Sequence, residues 1–210
     1  MAATKSFTSQ VAILTLLALL LGRIRHLSSA DGMRIIEELE ELPDKITTIL
    51  KSSDHIKAIA EKYSDATAMM FLGRQFNYPV ALEGALKMKE ISYIHAEGHP
   101  SAELKHGVIA LITPELPSVF IAPSDSILDK NISNIEEVKA RKGPIIAIGT
   151  EGCAKLEKAA DDTIFIPPCP DYLSPILTAI PLQLLAYHFA VKLGCDVDKP
   201  RNLAKSVTVE

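Results

Sequence analysis

The sequence predicts an α/β protein, a doubly wound three-layer parallel sheet preceded by helices. Three observations predict this fold. From residue 66 onward, short apolar runs alternate with segments of helical spacing. Those runs are apolar at consecutive positions, which is typical of strands that are buried on both faces. Hydrophobic residues make up 48% of the 210 residues and charged residues 23%, a composition that supports a sizeable core.

The first element is a helix around residues 11–22, a nearly unbroken apolar run. Thr4 or Ser6 can cap it, and the helix is predicted to end near Arg25. Because the run is apolar on most sides, we expect a buried helix. Twelve residues are too few to cross a bilayer, which needs about 20. A signal peptide cleaved after residues 28–30 is the alternative, although three basic residues would then separate the apolar run from the cleavage site.

Residues 32–64 predict an amphipathic helical connector, since apolar side chains recur at helical spacing among charged ones. Pro43 begins a second helix in this region, because proline fits the first turn of a helix. Asp54 is predicted to cap a third helix that ends at Lys62.

The remaining elements alternate. A strand over 67–72 leads to a helix from Asn77 to about Tyr93. A later helix is predicted to be capped by Ser124 or Asp125 and to end at Gly143. Further strands are predicted over 108–112, 118–122, 144–149 and 163–166, a short helix lies between the last two, and a final helix covers 173–193. In such a fold we expect ligands at the carboxyl ends of the strands.

Composition and motifs exclude several classes of protein. The chain has 22 Lys and Arg against 26 Asp and Glu, so it lacks the basic excess of a nucleic-acid binder. Its three cysteines suit a cytoplasmic protein with reduced thiols, since they show neither disulfide nor zinc spacing. No dinucleotide-binding, phosphate-loop, serine-hydrolase or zinc-protease signature is present. We therefore expect no metal and no cofactor.

Four side chains are candidates for chemistry. Glu83, Lys87 and Glu90 are spaced i, i+4 and i+7, which places them on one helix face. They form either a solvated ion-pair stripe or, if buried, a tuned carboxylate base beside a lysine. His106 precedes the strand predicted over 108–112 and is either a surface histidine or part of a site. From the residues alone, the substrate is unknown.

Three long segments carry a resemblance. Residues 81–97, 103–107 and 196–210 resemble, in order, segments of the glutamine–fructose-6-phosphate aminotransferases, the glucosamine-6-phosphate synthases, and residues 3–10 add a fourth match. In that family the C-terminal half consists of two sugar-isomerase (SIS) domains. It converts fructose 6-phosphate and ammonia to glucosamine 6-phosphate, and an N-terminal glutaminase supplies the ammonia. The resemblance covers nearly the whole chain.

The resemblance implies roles for particular residues. Glu90 would be the base that moves a proton between C1 and C2 of the sugar, and His106 would assist ring opening from within a partner subunit's site. Lys205 would form an imine with the open-chain ketose. Lys87, Arg201, Ala204 and Ala3 would bind substrate. A cytoplasmic homodimer that binds a sugar phosphate, and neither nucleic acid nor membrane, is therefore expected.

The resemblance also predicts the domain organisation. Residues 1–30 would be the last helix of a first SIS domain, 31–65 a connector, 66–195 a SIS domain and 196–210 an active-site tail. The phosphate-gripping serine loop of the family belongs to the part that precedes this sequence. We therefore expect weak or no activity from this chain alone, with a separate chain as one source of the glutaminase and first SIS domain. The alternative is a non-catalytic SIS module that binds a sugar phosphate and regulates a partner.

Overall fold

The computed structural model describes residues 2–201 and begins with four helices. These are α1 (Lys5–Arg25), α2 (Ser29–Glu40), α3 (Leu42–Leu50) and α4 (Ser53–Lys62). Ser28 caps α2, because its side chain accepts a hydrogen bond from the backbone N–H of Asp31 at 3.0 Å. Pro43 lies in the first turn of α3 as predicted. The residue that precedes α4 is Ser52, so Asp54 lies inside the first turn instead of capping it.

A five-stranded sheet follows. Its elements in chain order are β1 (Ala68–Gly73), α5 (Asn77–Ser92), β2 (His95–Pro100), two 3₁₀ turns (Ser101–Glu103 and Val108–Leu111), β3 (Ser118–Ile121), α6 (Leu128–Lys139), β4 (Ile145–Thr150), α7 (Ala154–Ala159), β5 (Asp162–Ile166) and α8 (Ser174–Lys192). All neighbouring strands are parallel, in the order β2-β1-β3-β4-β5. The predicted doubly wound fold is confirmed.

Alternating residues of the strands build two cores on opposite faces of the sheet. On β1, Met69 and Phe71 face a core formed with α3, α4, α5 and α8, which we call the α5 face. Met70 and Leu72 face the other way, toward α6 and α7, on what we call the α6 face. The two faces separate the candidate residues of the site.

The second strand differs from the prediction. Residues 108–112 do not join the sheet, since Val108 and Ile109 pack over the α6 face within a 3₁₀ turn. The strand is instead β2, which was not predicted because its sequence is polar. Its buried Ala96 alternates with exposed neighbours, the pattern of an edge strand that is covered on one side. Apolar runs therefore identify central strands more readily than edge strands.

Helix α6 begins later than predicted. Its first residue is Leu128, because the side chain of Asp125 accepts a hydrogen bond from the Ile127 N–H at 3.0 Å and closes a turn ahead of the helix. The helix ends at Lys139, four residues before the predicted stop at Gly143.

Helix α1 is present as predicted, but it is not buried. Leu19 is its one buried residue, whereas Ile13, Leu17, Leu20 and Ile24 are about half exposed or more. Within residues 2–201 the helix packs against α2 and α8 and no sheet covers its other sides. By length and composition alone, α1 and α8 are both long and apolar enough to cross a membrane, and most of α8 is buried inside the domain.

Candidate functional site

Helix α5 determines where the candidate base lies. The helix connects two parallel neighbours, β1 and β2, so it must run from the carboxyl ends of the strands back to their amino ends. Glu90, in its last turns, therefore lies near the amino ends of the strands, on the α5 face. The sequence predicts ligand chemistry at the carboxyl ends of the strands, whereas the candidate Glu90 lies at the other end. The rule for doubly wound sheets describes a domain's own crevice, whereas Glu90 stands at the opposite end.

Lys87 forms the centre of the charged group on α5. It is 2% exposed, and its Nζ lies 2.5 Å from Oε2 of Glu90 and 3.5 Å from Oε1 of Glu83. The helical spacing thus brings the three side chains together as predicted. Because the lysine is buried, the arrangement is a packed charge cluster and not a solvated stripe.

The two carboxylates of this cluster differ in their environment. Burial raises the pKa of Glu83, and the nearby ammonium of Lys87 opposes that rise. Within residues 2–201, Oε1 of Glu83 is buried and has no polar partner other than the Lys87 ammonium at 3.5 Å. Glu90 is the closer partner of the lysine and keeps 20% of its side chain exposed. Within residues 2–201 its second oxygen, Oε1, makes no hydrogen bond.

The end of the described chain returns to this part of α5. The backbone N–H of Arg201 donates to Oη of Tyr93 at 2.8 Å, and its guanidinium lies 4.2 Å from the centre of the Tyr93 ring. Cys195 approaches the carbonyl of Ser92, with its sulfur 3.9 Å from the oxygen. Tyr93 was not among the predicted site residues. Its spacing of three residues from Glu90 was the available signal.

His106 lies on the other side of the sheet. Its turn packs through Leu104, which is fully buried on the α6 face, and its side chain is 74% exposed. The nearest charged partner is Glu103, whose Oε2 lies 4.0 Å from Nε2 of the imidazole. Within one chain the sheet therefore separates His106 from Glu90.

The other predicted residues fall outside this cluster or outside the described part of the chain. Ala3 is exposed just before α1, while its neighbour Ala2 packs on the core of the α5 face. Ala204 and Lys205 lie outside the described residues. Across residues 2–201, no three His, Cys, Asp or Glu side chains are grouped so that they could hold a metal ion.

A cavity of about 380 Å³ lies at the amino ends of β1 and β2. It is lined by His95, Glu97, Met70 and Leu116, among others, and not by Glu90. None of the residues that line it is a lysine or arginine. A phosphate is usually held by such cations or by backbone N–H groups at a helix N-terminus. We therefore do not assign a sugar phosphate to this cavity.

Comparisons with known proteins identify close relatives. Over its whole length the chain is 54% identical to the glutamine–fructose-6-phosphate aminotransferase [isomerizing] of Chlorobaculum tepidum and 51% identical to that of Bacteroides thetaiotaomicron. It covers 34% of each, so it spans about a third of the length of these relatives.

Solved structures agree. The C-terminal domain of glucosamine-fructose-6-phosphate aminotransferase from Francisella tularensis superposes with a TM-score of 0.89 at 40% identity, over 93% of this chain and 56% of that one. A glucosamine-6-phosphate deaminase from Thermotoga maritima gives a TM-score of 0.71 at 25% identity, over 99% of this chain and 57% of the other. Residues 62–193 match the SIS domain model. The chain belongs to the SIS domain family.

Proposed function

We propose that the chain forms the isomerase part of a glucosamine-6-phosphate synthase, which converts fructose 6-phosphate and ammonia to glucosamine 6-phosphate. The observation that carries the proposal is the buried Lys87 paired with Glu90 at 2.5 Å in the last turns of α5. The names of the relatives supply the reaction and the substrate.

Glu90 is the proposed base of the aldose–ketose shift. This reaction moves a proton between C1 and C2, which requires a carboxylate within about 3 Å of a carbon-bound hydrogen. The Lys87 ammonium holds Oε2 of Glu90, and Oε1 is left to take the proton. A buried lysine at this distance fixes the orientation of the carboxylate.

Lys205 is the proposed amine that forms an imine at the ketose carbonyl, with loss of one water. The imine withdraws electrons and makes the adjacent C–H proton more acidic. Arg201 is tied to Tyr93, three residues beyond Glu90. Since four residues of chain span at most about 14 Å, this anchor supports the assignment of Lys205 to the same site. Ala204 and Ala3 remain proposed substrate contacts.

His106 is proposed to act in the site of a second copy of the chain. It is exposed and lies across the sheet from Glu90, so a single subunit supplies only part of the set. The proposed assembly is therefore a homodimer, and its proposed location is the cytoplasm. A separate chain is one source of the glutaminase and phosphate loop.

The test is solvent deuterium incorporation at C1 of fructose 6-phosphate, followed by NMR. Removing a general base costs roughly 10²- to 10⁴-fold in rate, so Glu90→Gln should reduce incorporation by that order. Glu136→Gln, an exposed carboxylate on α6, is the matched control and should leave the rate unchanged. Equal, substantial rates in wild type and Glu90→Gln would refute the role of Glu90.

The second candidate is a non-catalytic module that binds a sugar phosphate. The separation of His106 from Glu90 within one chain favours it, because a lone subunit has no complete set of reacting groups. Calorimetry discriminates the two: binding of glucosamine 6-phosphate without deuterium exchange, in a dimeric sample, would support the module.

A further inference from the structure

Helix α6 buries two asparagines on its sheet-facing side. Asn131 is 1% exposed and Asn134 is 8% exposed, while the neighbouring core positions hold Ile135 and Val138. Apolar side chains pack such a stripe without any need for partners, whereas a buried amide requires hydrogen bonds. The hydrogen-bond partners of these two amides therefore show which neighbouring segments α6 holds in place.

Asn131 holds the start of the His106 turn. The hydroxyl of Ser101, which is fully buried, donates to Oδ1 of Asn131 at 3.0 Å. Ser101 begins the first 3₁₀ turn, directly after β2. This contact therefore fixes the point at which the chain leaves the sheet toward His106.

A second contact holds the residue before the histidine. Nζ of Lys105 lies 2.9 Å from Oε1 of Glu137 on α6. The other oxygen of Glu137 accepts from Nδ2 of Asn134 at 3.3 Å, and Oδ1 of Asn134 accepts from Arg74 at 3.2 Å. A continuous polar chain thus runs from the end of β1, through α6, to the His106 turn.

The turn is ordered internally, but its histidine is not packed. The His106 N–H donates to the Glu103 carbonyl at 2.9 Å, and the Ile109 N–H donates to that of Leu104 at 2.9 Å. Gly107 has a φ of +130°, a backbone conformation that residues other than glycine rarely adopt. An imidazole that is 74% exposed has no core contacts to orient it, so its position depends on what holds the turn.

We propose that Ser101, Asn131 and the Lys105–Glu137 pair are positioning residues for His106. They clamp its turn to α6 so that the imidazole projects from the α6 face toward a second copy. The assignment rests on the proposed function, in which His106 assists ring opening across the dimer. A misplaced acid–base group loses rate steeply with distance, which gives these contacts a consequence beyond folding.

Hydrogen exchange of the whole chain tests the clamp directly. In Ser101→Ala, exchange of the amides over residues 101–109 should accelerate about tenfold, the factor for one net hydrogen bond. Amides of β4 should be unchanged. Ser101→Thr keeps the hydroxyl and should restore protection. Ser133→Ala is the matched control, because this serine lies on the exposed side of α6 and bonds its own helix. Unchanged exchange over 101–109 in Ser101→Ala overturns the proposal.

Deuterium incorporation into fructose 6-phosphate separates positioning from general stability. Ser101→Ala should lower kcat with KM little changed, and it should have no further effect in a His106→Ala background. An equal loss in both backgrounds overturns the proposal, since the serine would then act only on the fold. Weak or no turnover is expected of this chain alone, so if the wild type shows none, hydrogen exchange alone decides whether α6 holds the turn.

Discussion

Helices α1 and α8 are similar in length and apolar composition but opposite in environment. Each is about 20 residues long and rich in leucine and isoleucine, and each passes the same test of length and composition for a membrane span. Yet α8 is packed between α4 and α5 with Leu177, Leu185 and Phe189 fully buried, whereas α1 buries Leu19 alone.

This difference shows that an apolar helix sequence favours burial but does not determine which elements, if any, cover the helix. Helix α8 meets a sheet face and the helices α3, α4 and α5 along its length. Helix α1 meets parts of α2 and α8 and leaves a stripe of apolar residues exposed, namely Ile13, Leu17, Leu20 and Ile24. An exposed apolar patch of this kind marks an interaction surface or a tendency to associate.

The largest expected effect contrasts two truncations, one on each helix. Phe189→Ala removes a fully buried ring from α8 and should lower the free energy of unfolding by about 3–5 kcal/mol. Leu17→Ala on α1, whose side chain is 48% exposed, should change it by less than about 1 kcal/mol. Urea denaturation followed by circular dichroism measures both. Similar losses in the two variants would mean that α1 is covered in solution.

Lys87 on α5, the helix that packs on α8, gives the next largest effect. Lys87→Met leaves Glu83 and Glu90 without their shared cation, which should cost about 2–4 kcal/mol at pH 7. Burial raises the pKa of Glu83, so this carboxyl accepts a proton readily and relieves the repulsion. The loss should therefore shrink as the pH falls from 7 toward 5.

Unfolding midpoints at the two pH values measure this change. The matched control is Lys105→Met, a cation paired with Glu137 but 65% exposed. It should cost less than about 1 kcal/mol and show little dependence on pH. A loss for Lys87→Met that is as small as that of the control would contradict the buried cluster.

The sequence predicted most of the sheet because central strands are recognisable as continuous apolar runs. The runs over 67–72, 118–122, 144–149 and 163–166 are apolar on both faces, and all four correspond to strands. The edge strand β2 was missed because one side of it meets solvent, which permits histidine and glutamate. The run over 108–112 was misassigned, since a 3₁₀ turn that covers a sheet face needs apolar residues as much as a strand does.

The candidate site was predictable only in part. Helical spacing placed Glu83, Lys87 and Glu90 on one face, but it could not say that this face is buried. Nor could spacing show that His106 lies across the sheet, because the face on which a loop packs depends on long-range contacts. The contact of Arg201 with Tyr93 joins residues more than 100 positions apart, and local sequence carries no record of it.

The exposed stripe of α1 should reveal itself through dye binding more than through stability. Replacing Ile13, Leu17 and Leu20 by glutamine should leave the unfolding free energy within about 1 kcal/mol. Binding of an apolar fluorescent dye should fall several-fold, because the replaced side chains form the exposed apolar surface. The control variant is Leu82→Gln with Leu86→Gln on α5, because these two leucines are also exposed. Equal dye loss in both would show that α1 is not the main apolar surface.

The smallest expected effect compares a histidine on α8 with one at the end of α1. His188 is half-buried, and Ser53 Oγ lies 2.9 Å from its Nε2. Burial and the charge of Lys57 lower the pKa of His188, while the charges of Asp54 and Glu61 oppose that change. A lowered pKa in the folded state means that the unfolded chain binds the proton more readily. The stability linked to His188 is therefore complete above its ordinary pKa of 6.5 and declines as the pH falls through the lowered value. His188→Gln should flatten the dependence of the urea midpoint on pH between 7 and 5. The control is His26→Gln, at an exposed histidine just beyond α1. If the two variants respond alike, the burial of α8 does not extend to this side chain.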